Sequence, residues 1–81
     1  MTTQGQTFLT NITNGTKVRL LKIDAGQGLK ARLAAMGLLA GAEFKVINNG
    51  HPGPFVIELK GSRMVLGRGM AGKIIVKLSE R

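Results

Sequence analysis

Apolar and polar residues alternate over much of this chain, and the places where the alternation slips are as informative as the places where it holds. From Lys17, Val18 and Leu20 take one face and Lys17 and Arg19 the other, the two-residue period of a strand. At Leu21 the phase shifts, so that Leu21 and Ile23 are apolar and Lys22 polar, which predicts a bulge or sharp bend. Phe44 and Val46 alternate with Glu43, Lys45 and Asn48, and Ile47 is out of phase. Phe55, Ile57 and Leu59 share one face of a further run, and Ile74, Val76 and Leu78 share one face of the last. One segment has a different period: Leu29, Leu33 and Met36 stand at helical spacing among alanines, which predicts a helix over about 28–37. No Ser, Thr or Asn caps its start, whereas Gly37 suits the left-handed position after its end, with Leu38 folding back as the apolar contact.

The breaks between these runs are turn chemistry. Asn14-Gly15 before the first run, Gly41 within Leu39–Ala42 after the helix, and the Pro/Gly-rich stretch between Asn48 and Phe55 each read as a turn or loop. Gly61-Ser62 reads as a two-residue hairpin turn, pairing Lys60 with Arg63 and Leu59 with Met64 and leaving the large apolar side chains on one face. The tally is a mainly β chain of about five short strands, with the helix inserted between strands 1 and 2. So short a meander is expected to close into a small barrel rather than leave bare edges. Its 81 residues allow one core. Residues 1–7 are expected to be a flexible polar lead and 8–79 a single domain.

Composition narrows the function. Twelve Lys/Arg against four Asp/Glu give a net charge of +8, which suggests an anionic partner: nucleic acid, a membrane face or an acidic protein surface. Lysines that merely solvate the outer faces of strands account for part of that excess. The chain has no cysteine, which excludes disulfides, thiolate zinc sites and thiol catalysis. The longest nearly apolar run, Leu33 to Ala42, is about half the ~20 residues of a membrane span. The N-terminus has neither the basic nor the apolar region of a signal peptide, so a cytoplasmic protein is expected and the two N-x-T sequons at Asn11 and Asn14 read as chance.

Two nucleotide-binding patterns overlap in Gly67–Lys73, namely G-x-G-x-x-G and G-x-x-x-x-G-K. Neither has its mechanics. A phosphate cradle needs a helix N-terminus after the glycines and a Ser/Thr for magnesium, but Lys73 is followed by Ile74 and a β-branched run. Asp24, Glu43, Glu58 and Glu80 are dispersed, and His51 is the lone histidine, in a loop. No catalytic, metal or cofactor site is read from the chain, and no enzyme is expected.

Taken in order, Met36-Gly37-Leu38, Ala40-Gly41, Gly53-Pro54-Phe55, Arg68 with Ala71, and Ile74 to Val76 resemble the FeoA family, with Phe8–Gly15 similar to its usual lead-in. Ala40 departs from the family's frequent proline, and the glycine-rich Gly67–Gly72 from its more acidic turn. The resemblance implies an SH3-like barrel and a small cytosolic accessory of ferrous iron uptake. Such a protein would dock on the cytoplasmic side of the FeoB membrane GTPase, which places it peripheral to the inner membrane. The charge then also fits work near an anionic membrane surface. Apolar residues out of phase with their strands (Ile47, Val56, Val65 and Ile75), with Leu39, are the candidate docking patch; the alternative is a second small core under the helix. Lys30, Arg32, Lys60, Arg63 and Arg68 are its candidate cationic rim. Rival readings are a nucleic-acid-binding small barrel, disfavoured by only three aromatic residues, and a regulatory domain like those of metal-dependent repressors.

Overall fold

The alternation beginning at Lys17 folds as the central strand of a six-stranded antiparallel sheet in the computed structural model, which describes residues 5–79. In chain order the elements are β1 (Gln6–Phe8), a single 3-10 turn (Leu9–Asn11), β2 (Lys17–Ile23), α1 (Gln27–Ala35), β3 (Glu43–Asn49), β4 (Phe55–Leu59), β5 (Ser62–Leu66), α2 (Arg68–Ala71) and β6 (Ile74–Leu78). The sheet order is β1-β6-β2-β3-β4-β5. Strand β1 is the addition to the expected five, with Gln6 and Thr7 opposite Lys77 and Val76; the first four residues of the lead lie outside the described residues.

Both phase slips are bulges. The β2–β6 register shifts between Leu20 and Lys22, and the β3–β4 register between Val46 and Asn48, so Leu21 and Ile47 are the extra residues. Each restores the apolar phase after bending its strand, and the inner face stays apolar across the whole sheet. Val18, Leu20, Val46, Phe55, Ile57, Ile74 and Val76 are buried there in one cluster with Leu33 and Leu38.

The sheet does not close into a barrel. Strands β1 and β5 are its two edges. Leu9 of the 3-10 turn and Ala71 of α2 are fully buried in the core, and the two elements touch. A one-turn helix thus occupies the glycine-rich stretch between β5 and β6, and Met70 packs against the core beside Ala71.

The end of α1 is built as its residues demand. The Gly37 N–H donates to the Ala34 carbonyl and the Leu38 N–H to the Leu33 carbonyl, both at 2.9 Å, the paired bonds of a Schellman motif. Gly37 has φ +92°, and a Cβ there would lie 3.1 Å from Leu59 Cδ2. The turn that follows closes with the Ala42 N–H on the Leu39 carbonyl, and Gly41 at φ +91° takes its third position.

The β4–β5 hairpin corrects the expected register. The turn is Lys60-Gly61, both at positive φ, with Leu59 opposite Ser62, Ile57 opposite Met64 and Val56 opposite Val65. Lys60 and Arg63 are therefore not a facing pair; Arg63 faces Glu58. Both registers leave Phe55, Ile57, Leu59, Met64 and Leu66 on the same face, because they differ by an even step. Facing alone does not separate them; the turn conformation does.

Candidate docking surface

The outer face of the sheet collects the polar halves of all these alternations. Register carries one row from Gln6 through Lys77 and Arg19 to Glu43, and a second from Lys17 through Lys45 and Glu58 to Arg63. With Lys22, this band sets six cations against two carboxylates. Two contacts join like charges directly, Lys17 opposite Lys45 and Arg19 opposite Lys77.

Glu43 is the organised carboxylate of the band. Its Oε2 accepts from Ser79 Oγ and from Arg19 Nη2, each at 2.7 Å, while Arg19 Nη1 reaches the Gly41 carbonyl at 3.1 Å. The Ser79 hydrogen bond is the main cause that holds the Glu43 carboxyl below its ordinary range; the charges of Arg19 and Lys17 act in the same sense and partial desolvation opposes them.

Apolar residues stand at two opposite corners of this band. At one, Val56 pairs with Val65, which is 65% exposed, next to the Ile47 bulge. At the other, Ile75 pairs with Phe8, 41% exposed, and with Lys22. Phe8 was not among the sequence candidates, because the strand that presents it is three largely polar residues long. The band itself escaped notice for a similar reason: each strand's lysines look like ordinary solvation until the strand order sets them side by side.

A third feature adjoins the band at the turn after α1. Leu39, 55% exposed, sits between two open grooves. One, of about 790 Å³, runs between the post-helix turn and the β4–β5 hairpin and includes Lys17, Lys45 and Lys60. The other, of about 470 Å³, lies between α1 and β2 and includes Lys30 and Ala34.

The ten candidates therefore do not form one patch, nor a second core under the helix. Val56, Val65, Arg63 and Ile47 come together; Leu39 shares one groove with Lys30 and the other with Lys60; Ile75 stands apart with β2 and β3 between it and β4. Arg32 is exposed on α1 and lines neither groove. Arg68 is no free rim charge, since its Nη2 donates to the carbonyls of Gly50 at 3.1 Å and Gly53 at 3.3 Å and clasps that loop to α2. Among the described residues no three His, Cys, Asp or Glu side chains gather as metal ligands would.

Known proteins share this arrangement. The FeoA domain model matches residues 8–78. A protein of Methanocaldococcus jannaschii, provisionally named Fe(2+) transport protein A, is 47% identical over 66 residues, covering 82% of this chain and 79% of that one. The crystal structure of an iron uptake regulatory protein, FeoA, superposes with a TM-score of 0.81 at 30% identity, over 89% of this chain and 96% of that one. IdeR of T. acidophilum reaches a TM-score of 0.83 at 16% identity, over 98% of this chain but 37% of its own, a likeness of fold alone that gives the sheet its SH3-like character. With its whole folded domain matched and a relative of nearly half identity, this chain belongs to the FeoA family of ferrous iron transport proteins.

Proposed function

We propose that the protein is an accessory of ferrous iron uptake that works by docking on the cytoplasmic side of a FeoB-type membrane GTPase, and that it supports or regulates that partner rather than carrying out chemistry itself. The observation that carries this reading is the extent of the family match, which runs from Phe8, the last residue of β1, to Leu78, the last of β6. The surface agrees in kind: a cationic band with exposed aliphatic corners suits association, where charge steers encounter and apolar contact holds the complex. No helix among the described residues is long and apolar enough to cross a membrane, so the partner would supply the attachment.

The test is capture of the protein by the purified cytoplasmic domain of a FeoB-type GTPase. The wild type is expected to be retained, and Val65→Glu or Arg63→Glu to weaken retention about tenfold, the loss of roughly 1.4 kcal/mol. Failure of the wild type to bind, together with RNA or DNA binding that falls steeply with salt, would replace this reading by the nucleic-acid one. The structure gives that rival one exposed ring, Phe8, since Phe44 and Phe55 are buried.

A further inference from the structure

We infer that the free edge of β5 is a docking site for an extended acidic segment of another protein, which adds to the sheet as a further strand. Strand β5 ends the sheet order, and no strand among the described residues pairs with its outer edge. The hairpin determines which of its backbone groups are free. A two-residue turn at Lys60-Gly61 makes Leu59 and Ser62 the first hydrogen-bonded pair, and bonded and non-bonded pairs then alternate along antiparallel strands. Ser62, Met64 and Leu66 accordingly turn their N–H and C=O groups toward β4. Arg63 and Val65 turn theirs away from it. The side chains of these same two residues are exposed, and Val65, at 65%, is the most exposed large apolar residue among those described.

Proteins commonly blunt such an edge with a proline, a bulge or very short length. Strand β5 has no proline, and its register with β4 runs unbroken through five pairs. The opposite edge, β1, is three residues long. What β5 does carry is charge: Lys60 in the turn before it and Arg63 within it, against the single carboxylate of Glu58 facing Arg63 on β4. That charge selects the occupant. A second copy would bring the same cations to the same edge against a net charge of +8 on each chain, whereas an acidic segment would meet them with carboxylates. Residues of an added strand opposite Arg63 and Val65 stand two apart on one face, so the fitting pattern is an acidic residue and a β-branched residue separated by one position. The inference rests on the docking reading above for the idea that the partner is a protein, and adds where and how it binds.

The experiment is an NMR titration of the whole protein with an eight-residue peptide in which Glu and Val stand two apart, alongside a control peptide with Lys in place of Glu. The Glu peptide is expected to shift the amides of Ser62–Leu66 and to protect Arg63 and Val65 from exchange. Binding should fall at least tenfold with the Lys peptide, with Val65→Pro and with Arg63→Glu. Val65→Pro removes an outward N–H and no bond to β4, so unchanged amide shifts in β2, β3 and β6 are expected; Arg63→Glu tests the edge independently should the proline disturb the fold. No binding of the Glu peptide at millimolar concentration, shifts centred on Leu39 instead, equal binding of the Lys peptide, or a wild-type dimer abolished by Val65→Pro would each overturn the inference. Capture by the GTPase domain separates the two proposals. If Val65→Pro is retained as well as the wild type, the edge proposal falls and the docking reading stands. If the wild type takes the Glu peptide but not the GTPase domain, the docking reading falls and the edge stands.

Discussion

Glu43 shows how much one side chain can depend on residues far from it in the chain. Its Oε2 is shared by Ser79 Oγ and the Arg19 guanidinium, each 2.7 Å away. No local pattern links positions 19, 43 and 79; they meet because β2 pairs with β3 on one side and β6 on the other. The carboxyl is held below its ordinary value of 4.5, first by the Ser79 hydrogen bond and then by Arg19 and Lys17. A carboxylate with a folded-state pKa below its unfolded one stabilises the fold fully above the unfolded value, and that contribution is lost as pH falls through the folded value. The wild type is therefore expected to lose stability on acidification below about pH 4.5 more steeply than Glu43→Gln. The gap between the two should be present near neutrality and gone in acid, small throughout because the pair is solvated. Urea midpoints across that range check it, and parallel profiles would count against the assigned role.

Among the elements, the β4–β5 hairpin is where local chemistry conflicts with local geometry. Its turn holds Lys60 at φ +52° and Gly61 at φ +83°. Glycine occupies that region freely, while an ordinary side chain is disfavoured there by roughly 1–2 kcal/mol and asparagine by much less. Lys60→Asn is expected to raise stability by about 1 kcal/mol, a melting temperature gain of roughly 4–8 °C for a domain of this size. Thermal denaturation checks it, and an unchanged midpoint would mean that the Lys60 conformation carries no strain. This hairpin also marks the limit of what alternation reveals. Period-two spacing identifies the faces of β2 through β6 and predicts the bulge at Leu21, and the glycine pattern marks the end of α1 at Gly37; at Ile47 the spacing shows a residue out of phase, which the structure resolves as a second bulge. It does not distinguish registers an even step apart, so Lys60 and Arg63 read as partners when Glu58 is the residue facing Arg63. Strand β1 is too short and polar to show a period, and the glycines around α2 hide the helical turn that carries Met70 and Ala71 onto the core. The docking candidates scatter for a related reason. Residues out of phase are visible along a strand, but their meeting depends on β6 lying between β1 and β2, an order set by long-range packing.

For the molecule as a whole, charge opposes the fold that displays it. Of the cations on the outer face, Lys17 faces Lys45 and Lys77 faces Arg19, while Arg19–Glu43 is the ion pair among the described residues. Neighbouring strands are about 4.8 Å apart, so these like pairs repel at short range, and the net charge of +8 adds a longer-range term. Salt acts on both. The screening length falls from about 10 Å at 0.1 M to about 3 Å at 1 M, which removes the long-range repulsion first and weakens the solvated ion pair as well. Arg19–Glu43, Lys45–Glu58 and Glu58–Arg63 face each other with opposite charge, but the excess of +8 leaves repulsion dominant at long range, so the melting temperature is expected to rise with sodium chloride. Lys17→Glu, which places a carboxylate opposite Lys45, should raise stability at low salt and flatten that dependence. A melting temperature that fell with salt would show that the Arg19–Glu43–Ser79 cluster outweighs the like-charge rows. A rise would show the cost of keeping a cationic face exposed. Such a cost is what a surface retains when its charge is directed at a partner, since an acidic segment at the β5 edge would neutralise Arg63 and lower the self-repulsion of the face, making binding and folding stability favour each other.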